Sequence, residues 1–117
     1  MSKKKETLYC YLRVSSKVQE EEGHSIENQR FHGERVSKKL GMKYKEFNEG
    51  HYSTTSKSRP KLQEIKEGMR IGRVKNIWYY SRSRWTRDEI EDGLIRRNYF
   101  QKYKVNVYEG ESGQKRK

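Results

Sequence analysis

Cysteine occurs once in this 117-residue chain, at Cys10, and proline once, at Pro60. A single thiol excludes an intrachain disulfide and a cysteine-based zinc cluster, and three scattered histidines supply no metal site either. Apolar residues are scarce at 30% of the chain, so a core is possible but thin. No uninterrupted apolar run approaches the roughly 20 residues of a membrane-spanning helix. The opening Met1-Ser2-Lys3-Lys4-Lys5 is not followed by the apolar stretch of a secretory signal. The sequence therefore reads as cytoplasmic, with no membrane partner. Acidic residues are also in deficit: 16 Asp and Glu stand against 28 Lys and Arg, a formal net charge of +12. Such a surplus predicts a polyanionic partner, with nucleic acid ahead of a membrane surface.

What is present has the periodicity of one small domain. After a basic tail over residues 1–6, Thr7 to Val14 alternates, with Leu8, Cys10, Leu12 and Val14 on one face and Tyr9 and Tyr11 on the other. This predicts a buried first strand. Residues 15–23 are polar and end in glycine, as a loop does. Ser25 can cap a helix over about 26–40, in which Ile26, Gly33, Val36 and Leu40 share a face and Gly41 supplies the stop. Met42 to Phe47 predicts a second strand, and residues 48–58, without apolar period, a loop. Pro60 suits the first position of a short helix carrying Leu62, Ile65 and Met69 before Gly72. Val74 to Tyr80 predicts a third strand. Thr86-Arg87-Asp88-Glu89 has the form of a capping box opening a helix to about Tyr103, with Ile90, Leu94 and Arg97 on one side. Val105, Val107 and Tyr108 close with a fourth strand. Strands alternating with helices predict an α/β fold, a mostly parallel central sheet with helices on both faces.

In an open parallel sheet, functional groups gather beyond the carboxyl ends of the strands. Arg13-Val14-Ser15 lies where the first strand runs out, and Ser81 to Arg87, with Arg82, Ser83, Arg84 and Arg87, where the third does. Arg59 could join them from the start of its helix. A serine hydroxyl ringed by guanidinium groups suits attack on a phosphodiester, because bidentate donors neutralise the non-bridging oxygens as the transition state forms. Clustered arginines in so basic a chain are equally the mark of a solvated surface, and spacing alone does not choose. Gly110-Glu111-Ser112-Gly113 is not the nucleophile elbow of a hydrolase. Glu20, Glu21 and Glu22 read as solvated. Trp78, Tyr79 and Tyr80 could stack on bases, but within a strand they read first as core and sheet-face residues, and Cys10 as a small buried side chain.

Taken in order, Tyr11-Leu12-Arg13-Val14-Ser15-Ser16, the stretch from Glu20 to Gln29, Glu49-Gly50-His51-Tyr52-Ser53, Arg59-Pro60-Lys61-Leu62 and Ser83-Arg84-Trp85-Thr86-Arg87 resemble the catalytic domain of the serine recombinases. This is the resolvase and invertase superfamily, and the stretch from Glu20 to Gln29 is closest to the large serine integrases and transposon recombinases. The similarity runs from about residue 8 to 112, within a catalytic domain expected over 7–112. The resemblance implies a resolvase-like fold and a site-specific recombinase from a bacterial mobile element or phage. It makes Ser15 the nucleophile that forms a 5′-phosphoserine link to DNA. Arg13, Arg59, Arg84 and Arg87 would bind the scissile phosphate, Gln29 would support that site, and Tyr11, Glu49, Ser53 and Ser83 are further supporting candidates. It implies no cofactor, metal or small-molecule substrate; the partners would be DNA and other copies of the chain, from dimer to tetramer. The family's aspartate in the last signature is Ser83 here, which can hydrogen-bond but is not a carboxylic acid, so the proton donor for the 3′ oxygen is unassigned. The family's assembly helix and DNA-recognition domain are expected to lie outside a chain whose residues 113–117 form a basic end. The rival reading is a non-catalytic basic α/β module that binds DNA or partner subunits.

Overall fold

Leu8, Cys10 and Leu12 are fully buried, as alternation requires, yet so is Tyr11 on the opposite face. Strand β1 (Thr7–Arg13) lies inside the sheet, with β2 (Lys43–Gly50) and β3 (Asn76–Tyr79) parallel on either flank, and helices pack on both of its faces. The computed structural model describes residues 6–14, 25–50, 59–86 and 88–116. In these residues the sheet order is β2-β1-β3-β4-β5. β4 (Asn106–Glu109) continues the parallel set, and β5 (Gln114–Lys115) is antiparallel to it. The expected mostly parallel sheet with helices on both faces is the one observed. Two residues of β5 are too few to give an alternation signal.

Helix α1 (Ile26–Lys39) covers one face. Ser25 caps it, its hydroxyl accepting the Asn28 N–H at 3.1 Å, and Gly41 follows with φ of 69°. Gly33 lets α1 approach closely: a Cβ there would stand 3.1 Å from both the Trp78 and Tyr44 rings. Helix α2 (Pro60–Arg70) covers the other face and sends Leu62, Ile65 and Met69 into a core shared with Tyr11, Ile77 and Trp85. Trp78 and Tyr79 are core residues, and the Trp78 indole donates to the Gly110 carbonyl at 2.9 Å. Gly110 to Gly113 is the turn between β4 and β5, with φ of 83° and 66° at its two glycines. Cys10 is buried, and its thiol pKa is pushed well up by burial.

Three expectations are corrected. Beyond Phe47 the chain does not leave the sheet: β2 runs to Gly50, because hydrogen bonds, and not apolar periodicity, hold its end. Residues 51–58 and 15–24, Glu20 to Glu22 among them, lie outside the described residues. The helix expected from the capping box begins two residues later. After the short helix α3 (Arg82–Trp85), Asp88 caps α4 (Glu89–Ile95), its carboxylate accepting the N–H groups of Ile90 and Glu91. Thr86 instead accepts the Asp88 N–H at 3.1 Å. Finally, the side carrying Ile90 and Leu94 faces outward, with these residues 76% and 51% exposed, and Ile95 and Phe100 face the core. An α-helical step of five residues turns about 140° away from its start. A π-helical turn over Arg96–Gln101, closed by i→i+5 bonds, brings Phe100 inward near Ile95.

Candidate active site

The site is built at the carboxyl end of β1. Pairing with β2 slips by one residue there: Leu12 faces Asn48, but Arg13 faces Gly50. Glu49 is the skipped residue. The bulge breaks the strand's alternation and turns the carboxylate inward, 3% exposed. Glu49 Oε2 accepts the Tyr11 hydroxyl at 2.8 Å and the Leu62 N–H at 3.0 Å, and Oε1 accepts the Lys61 N–H at 3.0 Å. These are the first orphan donors of α2, since Pro60 has none and Arg59, at the cap position, offers no acceptor. A carboxylate from the neighbouring strand caps the helix and fixes Arg59 at its entry. Burial, and then the charge of Glu49, pushes the Tyr11 phenol well above its ordinary pKa, so it is a donor and not a base.

Gln29 fixes the end of β1 from the other side. Its fully buried amide accepts the Arg13 N–H at 3.2 Å and donates to the Arg13 carbonyl at 2.9 Å, as a strand neighbour would. Val14 donates to the Gly50 carbonyl at 2.9 Å.

Two arginines from separate segments then converge on α3, which carries a third, Arg84. Arg13 is fully buried and donates from Nε to the Arg84 carbonyl at 3.0 Å and from Nη2 to the Ser83 carbonyl. Arg59, 2% exposed, donates from Nη1 to the Trp85 carbonyl at 2.8 Å and from Nη2 to Glu91 Oε1. Carbonyls at the end of so short a helix have no partners within it, and guanidinium groups satisfy them. Arg84 is itself 4% exposed. Beneath it Trp85 packs edge-on to Tyr11 at 5.2 Å and stacked on Tyr79 at 5.3 Å. Ser83 lies at the exposed rim, its hydroxyl 3.0 Å from that of Ser81.

The sequence-predicted residues Tyr11, Arg13, Gln29, Glu49, Arg59, Ser83 and Arg84 are thus gathered at one end of the sheet. Ser15, Ser53 and Arg87 lie outside the described residues; Ser15 follows Val14 directly in the sequence. Residue-by-residue reading missed Glu91 on Arg59, for which an acidic residue three after a cap was the available signal. It also missed Arg116, which donates to both Asp92 oxygens, at 3.0 and 2.6 Å, and to the Tyr79 hydroxyl at 3.0 Å. An open cleft of about 480 Å³ beside the site is lined by Arg82, Ser83, Thr86, Asp92, Arg96 and Arg116 among others. Among the described residues, no group of three or more His, Cys, Asp or Glu could hold a metal ion, and no helix is long and apolar enough to cross a membrane.

The sequence matches the family model described as "Resolvase, N terminal domain" over residues 8–117. Among solved structures, the N-terminal catalytic domain of TP901-1 integrase is similar with a TM-score of 0.81 at 20% identity, over 94% of this chain and 82% of that one. A resolvase family site-specific recombinase from Streptococcus pneumoniae has a TM-score of 0.71 at 24% identity, over 95% and 76%. The C-terminal catalytic domain of ISC1926 TnpA, an IS607-like serine recombinase, has 0.65 at 22%, over 86% and 67%. No curated protein sequence gives a significant match. At these identities the structural likeness is one of fold.

Proposed function

The chain belongs to the resolvase family of serine recombinases, and from that premise we propose that it is a catalytic domain that cuts and rejoins DNA through Ser15. The hydroxyl oxygen of Ser15 attacks the scissile phosphorus, the bond to the 3′ oxygen breaks, and a 5′-phosphoserine ester and a free 3′ hydroxyl result. The proton that Ser15 loses is matched by the one the 3′ oxygen gains. Reversal rejoins the strand without a nucleotide or metal, because the ester conserves the bond. Arg13, Arg59, Arg84 and Arg87 neutralise the non-bridging oxygens. Gln29 and Glu49 act through them, the first by fixing the end of β1 and the second by fixing the start of α2. Ser83 orients and does not donate as a carboxylic acid would. DNA is the partner, and copies of the chain assemble, from dimer to tetramer.

The observation that carries this reading is the burial of Arg13, Arg59 and Arg84 together at the carboxyl end of β1, whose last residue stands two before Ser15 in the sequence. Guanidinium groups are costly to bury, and three from distant segments meet where the fold places its active sites. The test is a denaturing gel of the protein incubated with nicked or mispaired duplexes. A covalent protein–DNA complex should form equally well in strong chelator, and lysine at Arg13, Arg84 or Arg87 should reduce it strongly, since an ammonium cannot reproduce the guanidinium fork. Loss of the complex in chelator with recovery in magnesium, or no complex from a chain that binds the duplex, would overturn it.

A further inference from the structure

Arg59 does not stand open to a phosphate. One terminal nitrogen is engaged by the Trp85 carbonyl and the other by Glu91 of α4. The pair is lopsided: the Arg59 side chain is 3% exposed and that of Glu91 32%, so the carboxylate can leave toward water and the guanidinium cannot. Nor does α4 need Glu91 for its own start. At the third helical position a glutamate commonly reaches back to the N–H of the cap residue, but the Asp88 N–H is already taken by Thr86 Oγ1. Asp88 itself accepts the N–H groups of Ile90 and Glu91. Glu91 is thereby available to Arg59. A second cation lies beside it: Lys66 of α2 lines the same open cleft of about 400 Å³, with its ammonium 5.8 Å from the Tyr99 ring centroid. Burial lowers the Lys66 pKa and Glu91 raises it in turn, as nearby opposite charges require.

We infer that Glu91 is a positioning residue that holds Arg59 until a DNA phosphate displaces it, the freed carboxylate then turning to Lys66. This rests on the proposed function and adds a regulated step to it. Arg59 is kept in place, paired and dehydrated, and becomes a phosphate ligand only by exchanging one anion for another. A carboxylate and a phosphodiester oxygen compete for the same donor with similar charge-assisted geometry, so the exchange sets how readily the site engages DNA.

The experiment is a binding titration of a short random-sequence duplex at several salt concentrations. It uses Glu91→Gln, which keeps an acceptor oxygen but removes the charge, and Glu34→Gln, an equal charge change on the exposed side of α1. Glu91→Gln is expected to bind about tenfold tighter than the unsubstituted chain, the factor matching about 1.4 kcal/mol, and Glu34→Gln much less so. The slope of log affinity against log salt should steepen by up to about 0.9, the share of one further phosphate. Both effects should vanish when Arg59→Gln is added. Equal gains from Glu91→Gln and Glu34→Gln, or weaker binding by Glu91→Gln, would overturn the inference and leave the DNA reading intact. No binding by any variant would overturn both. Should Glu91→Gln fail to fold, the ¹³C signal of the Glu91 carboxylate in the unsubstituted chain reads the same event. It moves on saturation with duplex if the carboxylate leaves Arg59, and a signal that stays fixed shows a permanent strut and overturns the exchange.

Discussion

The carboxylate of Glu49 accepts three hydrogen bonds, from Tyr11 and from the first two N–H groups of α2. Its loss would leave helix donors unsatisfied beside a buried phenol. Glu49→Ala should therefore lower stability by about 2–4 kcal/mol in urea unfolding, and a change below about 0.5 kcal/mol would show that water replaces the carboxylate. The buried Tyr11 and Tyr79 and the half-buried Tyr44 predict the alkaline limit. Tyr11, Tyr44 and Tyr79 have phenols pushed well up, in each case first by burial. An unfolded chain ionises its phenols near pH 10 while these stay protonated in the folded one. Stability is thus present in full below about pH 10 and falls as pH rises past it. Ultraviolet titration should find these three silent until unfolding; their ionisation in the folded chain would contradict their burial. Of this chemistry, the arginine signatures and Ser25 were legible in the sequence. The carbonyls that Arg13 and Arg59 satisfy were not, because backbone acceptors carry no residue code.

Glycine separates close packing from open space among the helices. A Cβ at Gly68 of α2 would stand 2.4 Å from Val74 Cγ2, whereas one at Gly93 of α4 would meet nothing within 4 Å. Gly68→Ala should cost about 1–3 kcal/mol through overpacking, and Gly93→Ala should stabilise by up to about 1 kcal/mol through helix propensity. Thermal unfolding of the two variants reads both signs, and a stabilising Gly68→Ala would show that α2 and Val74 separate easily. Helices α1 and α2 were legible because their buried positions keep α-helical spacing between clear stops. α4 was less so. Ile95 at its end and Phe100 beyond it are the buried pair, spaced for the π-helical turn, and the α-helical stripe of Ile90 and Leu94 faces outward. The end of β2 was hidden because a bulge breaks the alternation that announces a strand.

The net charge of +12 was the plainest signal in the sequence, and it bears on the molecule as a whole. Charge neutralisation of phosphates carries no sequence information, so these residues alone should hold duplex DNA weakly and without site preference. With roughly four to six phosphates engaged, log affinity against log salt should fall with a slope of about −4 to −5. A slope near zero, or tight selective binding, would show that recognition rests on something other than this surface.

The proposed strand cleavage turns on one atom, the hydroxyl oxygen of Ser15, and the most direct measurement is to locate the covalent bond it forms. The protein–DNA complex from a nicked duplex is digested and its peptides mapped by mass spectrometry. The expected result is a phosphodiester link between the Ser15 peptide and the 5′ end of the cleaved strand, absent in Ser15→Ala although that variant still binds DNA. A link on any other residue, attachment to the 3′ end, or an adduct that survives Ser15→Ala would contradict it.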